Sequence, residues 1–237
     1  MRIMRRIVLI ALSLALPAVP GRATAQDDVM ARIRQAYPNA AAEIETIIAD
    51  AEAAGAPGDA LAAKALEGAA KGVPADRVLP ALNQYSLRLR ESVQLLGRER
   101  GPAAVVAGAD ALRRGVPPEQ LRTMAMEHQG DLAVPLMVMG DLIEAGVPAN
   151  NAYRVVSRAM HQHQEHEEML AIPGAVRQMM RAGQGPGPAA DAVGQAIGSG
   201  QFHGARQGPP VPPGSGPPEH ADPGNMQGKG KGKGSGG

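Results

Sequence analysis

Apolar residues return every three or four positions through most of this chain, the spacing that lines one face of a helix. Ile44, Ile47, Ile48 and Ala51 make such a stripe within a predicted helix over 40–54. Leu61, Ala65, Leu66 and Ala69 make another over 60–71. The longest, over 74–96, carries Val78, Leu82, Tyr85, Leu89, Val93 and Leu96, with Arg88, Arg90 and Glu91 off the stripe on the solvent side. Pro80 lies about two turns into it, so a kink or a short 3₁₀ entry is expected there. A first helix is predicted over 27–37, opened by Asp27 and Asp28 and stopped by Pro38. After a polar connection at 97–101, two arms are predicted over 102–114 and 117–128. The run 132–139 is the most continuously apolar part of the chain outside the leader and extends to Glu144, which predicts a central buried helix with Pro135 in its first turn. A long helix over 148–170, with Ala152, Val155, Val156 and Ala159 as its stripe, is followed by shorter elements over 173–181 and 189–197.

The stripes are punctuated by one motif. Gly72-Val73-Pro74, Gly115-Val116-Pro117 and Gly146-Val147-Pro148 each end one apolar run and open the next, with Gly55-Ala56-Pro57 as a looser copy. Gly suits the left-handed residue past a helix C-terminus, and Pro suits the first helical position, where its missing N–H costs nothing. Asp59, Asp76 and Glu119, two residues beyond their prolines, place negative charge at the positive end of the next helix dipole, and Asn150 offers a polar group. These junctions predict an all-α protein, a helical bundle or short irregular solenoid of helix–turn–helix units. The Pro-to-Pro steps of 17, 43 and 31 residues rule out a strict repeat. Five residues before each Gly stands an acid: Asp50, Glu67, Asp110 and Asp141. Glu67 with Lys71 and Asp110 with Arg114 are acid-first i,i+4 pairs. Asp50 and Asp141 lack such a partner and either face solvent or reach across the turn to the following helix.

The ends differ from the body. Arg2, Arg5 and Arg6, the apolar run 7–16 and Ala23-Thr24-Ala25 spell a signal peptide over 1–25, too short in its apolar part to span a membrane. Export to the periplasm or medium is therefore expected, with no transmembrane segment after cleavage. From residue 198 the composition turns to Gly, Pro and Lys, and a disordered tail is expected over 198–237, leaving a helical domain over 26–197.

Charge narrows the partners. Four of the 24 Lys and Arg lie in the leader, which has no acid, so the remaining 20 face 23 acids and the net charge is −3. A mildly acidic chain argues against nucleic acid. With no Cys there is no disulfide and no thiol chemistry. With no Trp, one Phe and three Tyr, the core must be filled by Ala, Leu, Val and Met, and there is no stacking platform for bases or sugars. Phe202 is expected outside the fold, and the methionines are expected to be core filling rather than copper ligands.

The densest chemistry lies at 160–169. Imidazole, carboxylate and thioether in a thiol-free exported protein suit zinc, copper or nickel. On one unbroken helix His161 and His163 point to opposite sides, so the set that could share a divalent ion is Met160, His163 and Glu167 with His166 adjacent. A solvated helix end is the competing reading. No G-x-S-x-G, H-E-x-x-H, P-loop or Rossmann glycine pattern occurs, and Ser86, Ser92, Thr123 and Ser157 read as lacking a His neighbour. The expected function is thus a non-enzymatic exported scaffold or interaction protein, with another envelope protein as partner and no cofactor. Envelope metal handling through the 160–169 cluster is the alternative.

Overall fold

The predicted stripes become helices because each has a face to bury and a signal to stop. The computed structural model describes residues 21–202, which hold ten α-helices and, among the described residues, no strand. They are α1 (Gly21–Ala36), α2 (Ala41–Ala53), α3 (Gly58–Ala70), α4 (Ala75–Leu96) and α5 (Pro102–Arg113), then α6 (Pro118–Glu127), α7 (Ala133–Glu144), α8 (Ala149–His161), α9 (His166–Arg181) and α10 (Pro186–Gly198). Most of the expected leader, 1–20, and the expected tail from 203 onward lie outside the described residues. Helix α1 begins at Gly21, inside the expected leader. No helix among the described residues is long and apolar enough to cross a membrane.

The Gly-Val-Pro motif is a helix-ending turn. Gly55, Gly72, Gly115 and Gly146 have φ of +86, +64, +94 and +89°. The next residue's N–H returns to a carbonyl in the last turn: Ala56 to Ala51 at 2.9 Å, Val73 to Gly68 at 2.9 Å, Val116 to Ala111 at 3.0 Å and Val147 to Leu142 at 3.0 Å. This is the Schellman arrangement, and it satisfies carbonyls that would otherwise lack a donor. The residue after the Gly also anchors the turn, since Ala56, Val116 and Val147 are buried. The same turn recurs where no Gly-Val-Pro announces it. Gly183 and Gly200 have φ of +96 and +69°, with bonds from Gln184 to Met179 and from Gln201 to Ala196. Pro57, Pro74, Pro117 and Pro148 are not the first helical residues as expected but the N-caps, with ψ of 108, 157, 137 and 139°. An extended ψ turns the chain, and the Pro carbonyl accepts the first helical bond, as Pro74 does from Val78 at 3.1 Å.

Most helices pack on their successor or on the helix after that, whereas α6 packs back on α4. Helix α1 meets α3, α2 meets α4, α4 meets α6, α5 meets α7, α7 meets α9 and α8 meets α10. Alternate helices therefore stack in an irregular solenoid. The apolar interior falls into two cores. One runs from Ile33 and Tyr37 through Ile44, Leu61, Leu82 and Leu89, and the other from Leu95 and Leu96 through Leu136, Val156 and Ile172 to Ile197. Helix α5 joins them, giving Val105 and Ala109 to the first and Ala104, Ala107 and Ala111 to the second. Helix α7 is the central buried helix expected, packed on α5, α8 and α9.

Small residues set how closely the helices approach. At the α4–α5 crossing the buried Ser92 hydroxyl donates to the Val105 carbonyl at 2.9 Å, and a Cβ on Gly108 would stand 2.3 Å from that oxygen. Three expectations change. Helix α4 runs through Pro80 as continuous α-helix. The long helix over 148–170 is two, α8 and α9, broken at Gln162. The fold also extends past 197, because Phe202 is buried in the second core and its N–H donates to the Ala196 carbonyl at 3.2 Å.

The junction geometry orders three substitutions. Gly115→Ala should cost on the order of 1 kcal/mol, from backbone strain alone, since the new Cβ would lie 3.8 Å from Ile143 and clash with nothing. Pro117→Ala should cost less, and Ala125→Pro, inside α6, about 3 kcal/mol or more. Urea melts followed by circular dichroism check the order. At the helix crossing, Gly108→Ala should cost about 1–3 kcal/mol, and the Ser92→Ala/Gly108→Ala pair less than the two single changes added together. A double-mutant cycle reads that coupling.

Candidate functional site: a polar seam between α6 and α8

The sequence-predicted metal set does not come together. Helix α8 ends at His161, and His163 is the left-handed residue of the following turn, with φ of +52°. Its N–H bonds to Met160 and that of Gln164 to Ala159 at 3.1 Å, the same turn that Gly makes elsewhere. His163 occupies a junction position and is exposed. His166 and Glu167 open α9 and are exposed, while Met160 packs against the second core. The shared face assumed an unbroken helix, and the break at Gln162 removes it. Among the described residues no group of three His, Asp or Glu is placed to hold a metal ion. Of the methionines, Met124, Met139, Met169 and Met179 are core residues as expected, whereas Met126 and Met137 are exposed.

What the structure gathers instead is a row of polar groups where α6 lies beside α8. At one end the Gln120 amide donates to Asn150 Oδ1 at 3.1 Å. Further along, the Tyr153 hydroxyl donates to the Glu127 carboxylate. Burial, then the bond and charge of Glu127, push the Tyr153 phenol up to about 12. At the far end the rings of His128 and His161 meet edge to face, with centroids 5.0 Å apart. Tyr153, Ser157 and His161 share one face of α8 by i,i+4 spacing. His161 Nδ1 lies 2.7 Å from the Ser157 carbonyl, which only accepts, so Nδ1 carries the proton of the neutral ring. The Ser157 hydroxyl is 3.4 Å from the same nitrogen. A nitrogen already donating to a carbonyl is not a base for that hydroxyl, so the two do not form a nucleophile–base pair. Ser157, read as lacking a His, has one a single turn away.

Arg100 holds the seam from the other side. From the 97–101 connection it donates to the carbonyls of Ala125 and His128 at 2.7 Å each and of Gly130 at 2.8 Å. A guanidinium there satisfies orphan carbonyls at the α6 C-terminus and meets the negative end of its dipole. His128 is half-buried, and its Nε2 is out of solvent with no hydrogen-bond partner among the described residues. Burial, then the neighbouring His161, push its pKa below the ordinary 6.5, against the opposing charge of Glu127. No sequence signal tied His128 to His161, and Arg100 read only as part of a polar connection.

Three of the four acids before the junctions find partners. Glu67 pairs with Lys64 and Lys71, and Asp110 with Arg113 and with Arg114 at 2.6 Å. Asp141 does not reach forward. It pairs with Arg114 on α5, which also holds Glu144 at 2.7 Å. At Asp50 the backbone carbonyl, not the carboxylate, is engaged, by Arg90 at 3.2 Å.

Two smaller hollows lie elsewhere. One, of about 370 Å³, sits at the α1–α2 and α3–α4 connections, and one of about 260 Å³ between α8 and α10 around Arg154, Arg158 and Asp191. Comparison with protein-family models, curated proteins and solved structures finds no match for the chain.

His163 gives a direct check of the junction reading. His163→Gly should stabilise the protein by up to about 1 kcal/mol, because a left-handed L-residue is strained and Gly is not. His163→Ala should bring no such gain. Thermal melts of the two variants decide it, and equal behaviour would mean that the turn is not strained.

Proposed function

We propose that this protein is an exported, non-enzymatic helical scaffold that docks an apolar element of another envelope protein at its N-terminal end. The observation that carries the reading is an open groove of about 400 Å³ between α1 and α3. It is lined by Val29, Met30, Ile48, Ala62, Ala63 and Leu66, with Gln26, Gly58 and Asp59 as its polar part. Among the described residues no further helix covers this face, and apolar grooves of this kind accept an amphipathic helix. The export signal and the mildly acidic charge support an envelope partner rather than nucleic acid. Leu87, Met126, Met137 and Leu170, also exposed, mark further apolar points on the surface.

The test is capture from the exported fraction with the full chain as bait, beside an Ala63→Arg variant. Ala63 is exposed on the groove wall, so the long cation fills the groove without entering the core. A partner retained by the wild type and lost by Ala63→Arg is the expected result. A monodisperse protein that retains nothing, or retains it equally in both forms, would overturn the reading.

A further inference from the structure

We propose that the α6–α8 seam is a proton-operated latch, in which protonation of His128 releases the α6 C-terminus and the 128–132 connection from α8. The geometry has three parts. The His128 ring packs edge to face on His161 at 5.0 Å. Its Nε2 is removed from solvent with nothing to receive a proton's hydrogen bond among the described residues. Its backbone carbonyl is held by Arg100 at 2.7 Å, so the ring and its peptide are held by different partners. In the protonated ring both nitrogens are donors, so Nε2 then carries an N–H with no acceptor and the ring a full charge beside a second imidazole, and burying such a group without a partner is costly.

The charged and titratable groups around the ring are few. Glu127 is on α6, Tyr153 and His161 are on α8, and Arg100 is on the connection that precedes α5. Glu127 is the one anion and opposes the release, but its carboxylate already accepts from Tyr153. Arg100 is engaged with backbone carbonyls rather than with the ring. Burial lowers the affinity of the folded ring for a proton. The unfolded chain therefore binds the proton more readily, and linkage fixes the sign. The contribution of the seam is complete above the ordinary value of 6.5 and is lost as pH falls through and below it. The pair joins the end of α8 to the residue after α6, and neither helix contributes to the first core, so the opening is local and leaves that core intact.

Hydrogen exchange of the full chain at pH 7.5 and 5.5, corrected for intrinsic rates, tests this. Amides at 125–132 are expected to exchange several-fold faster at the lower pH, while α2 and α3 keep their protection. In His128→Gln, which cannot protonate, the difference between the two conditions should vanish. An NMR titration of the wild-type His128 ring provides a check that needs no variant, with a midpoint below 6.5 expected. The latch is overturned by pH-independent exchange at 125–132, by the same acid loss in His128→Gln, by a His128 midpoint at or above 6.5, or by loss that spreads equally into α2 and α3.

Discussion

Everything in this fold depends on stopping helices cheaply. Six glycines with positive φ, and His163 in the same role, let a carbonyl in the last turn receive an N–H that has already left the helix. That bond fixes the exit direction, and the extended residue that follows fixes the entry of the next helix. With both angles set by backbone chemistry, the packing surfaces need little shape of their own. This is why an interior of Ala, Val, Leu and Met, with almost no aromatic ring, still specifies one arrangement. The cost is that helices must come close, and Gly108 against Ser92 and Gly140 against Arg114 are where they do so.

The junctions were legible because they use residues with one main reason to be there. Gly72, Gly115 and Gly146 with the Pro two residues on state a left-handed residue that ends one helix and an entry to the next. Stripes such as Ile44, Ile47, Ile48 and Ala51 gave the buried faces directly, and all four residues are buried. The misses came where the same geometry is made from other letters. His163 turns the chain as Gly does, so α8 and α9 looked like one helix until the turn was seen. Phe202 follows Gly200 in a Gly-rich stretch, and composition hid its place in the second core.

The seam between α6 and α8 was not legible, for a different reason. His128 and His161 are far apart in sequence, and no local period joins them. Their meeting is a product of stacking: α6 and α8 are next-but-one neighbours and run in the same direction. The rungs Gln120 to Asn150, Glu127 to Tyr153 and His128 to His161 advance together along both helices. The histidine cluster at 160–169 lies within one segment, yet its first histidine meets His128 from the end of another helix.

The contrast between this seam and the rest of the interior gives it its character. Most neighbouring helices here are joined by apolar contact, which is insensitive to pH and grows with area. Helices α6 and α8 are bridged instead by side chains whose worth depends on protonation and on fixed donors. A group of three guanidinium bonds from Arg100 ties the α6 C-terminus to the 97–101 connection, not to α8, and this tie does not depend on pH, since Arg stays charged. The imidazole pair does not have that constancy. A hold that is constant on one side and conditional on the other produces a hinge rather than a weak spot, because the strand of chain between them stays tethered when the conditional side lets go.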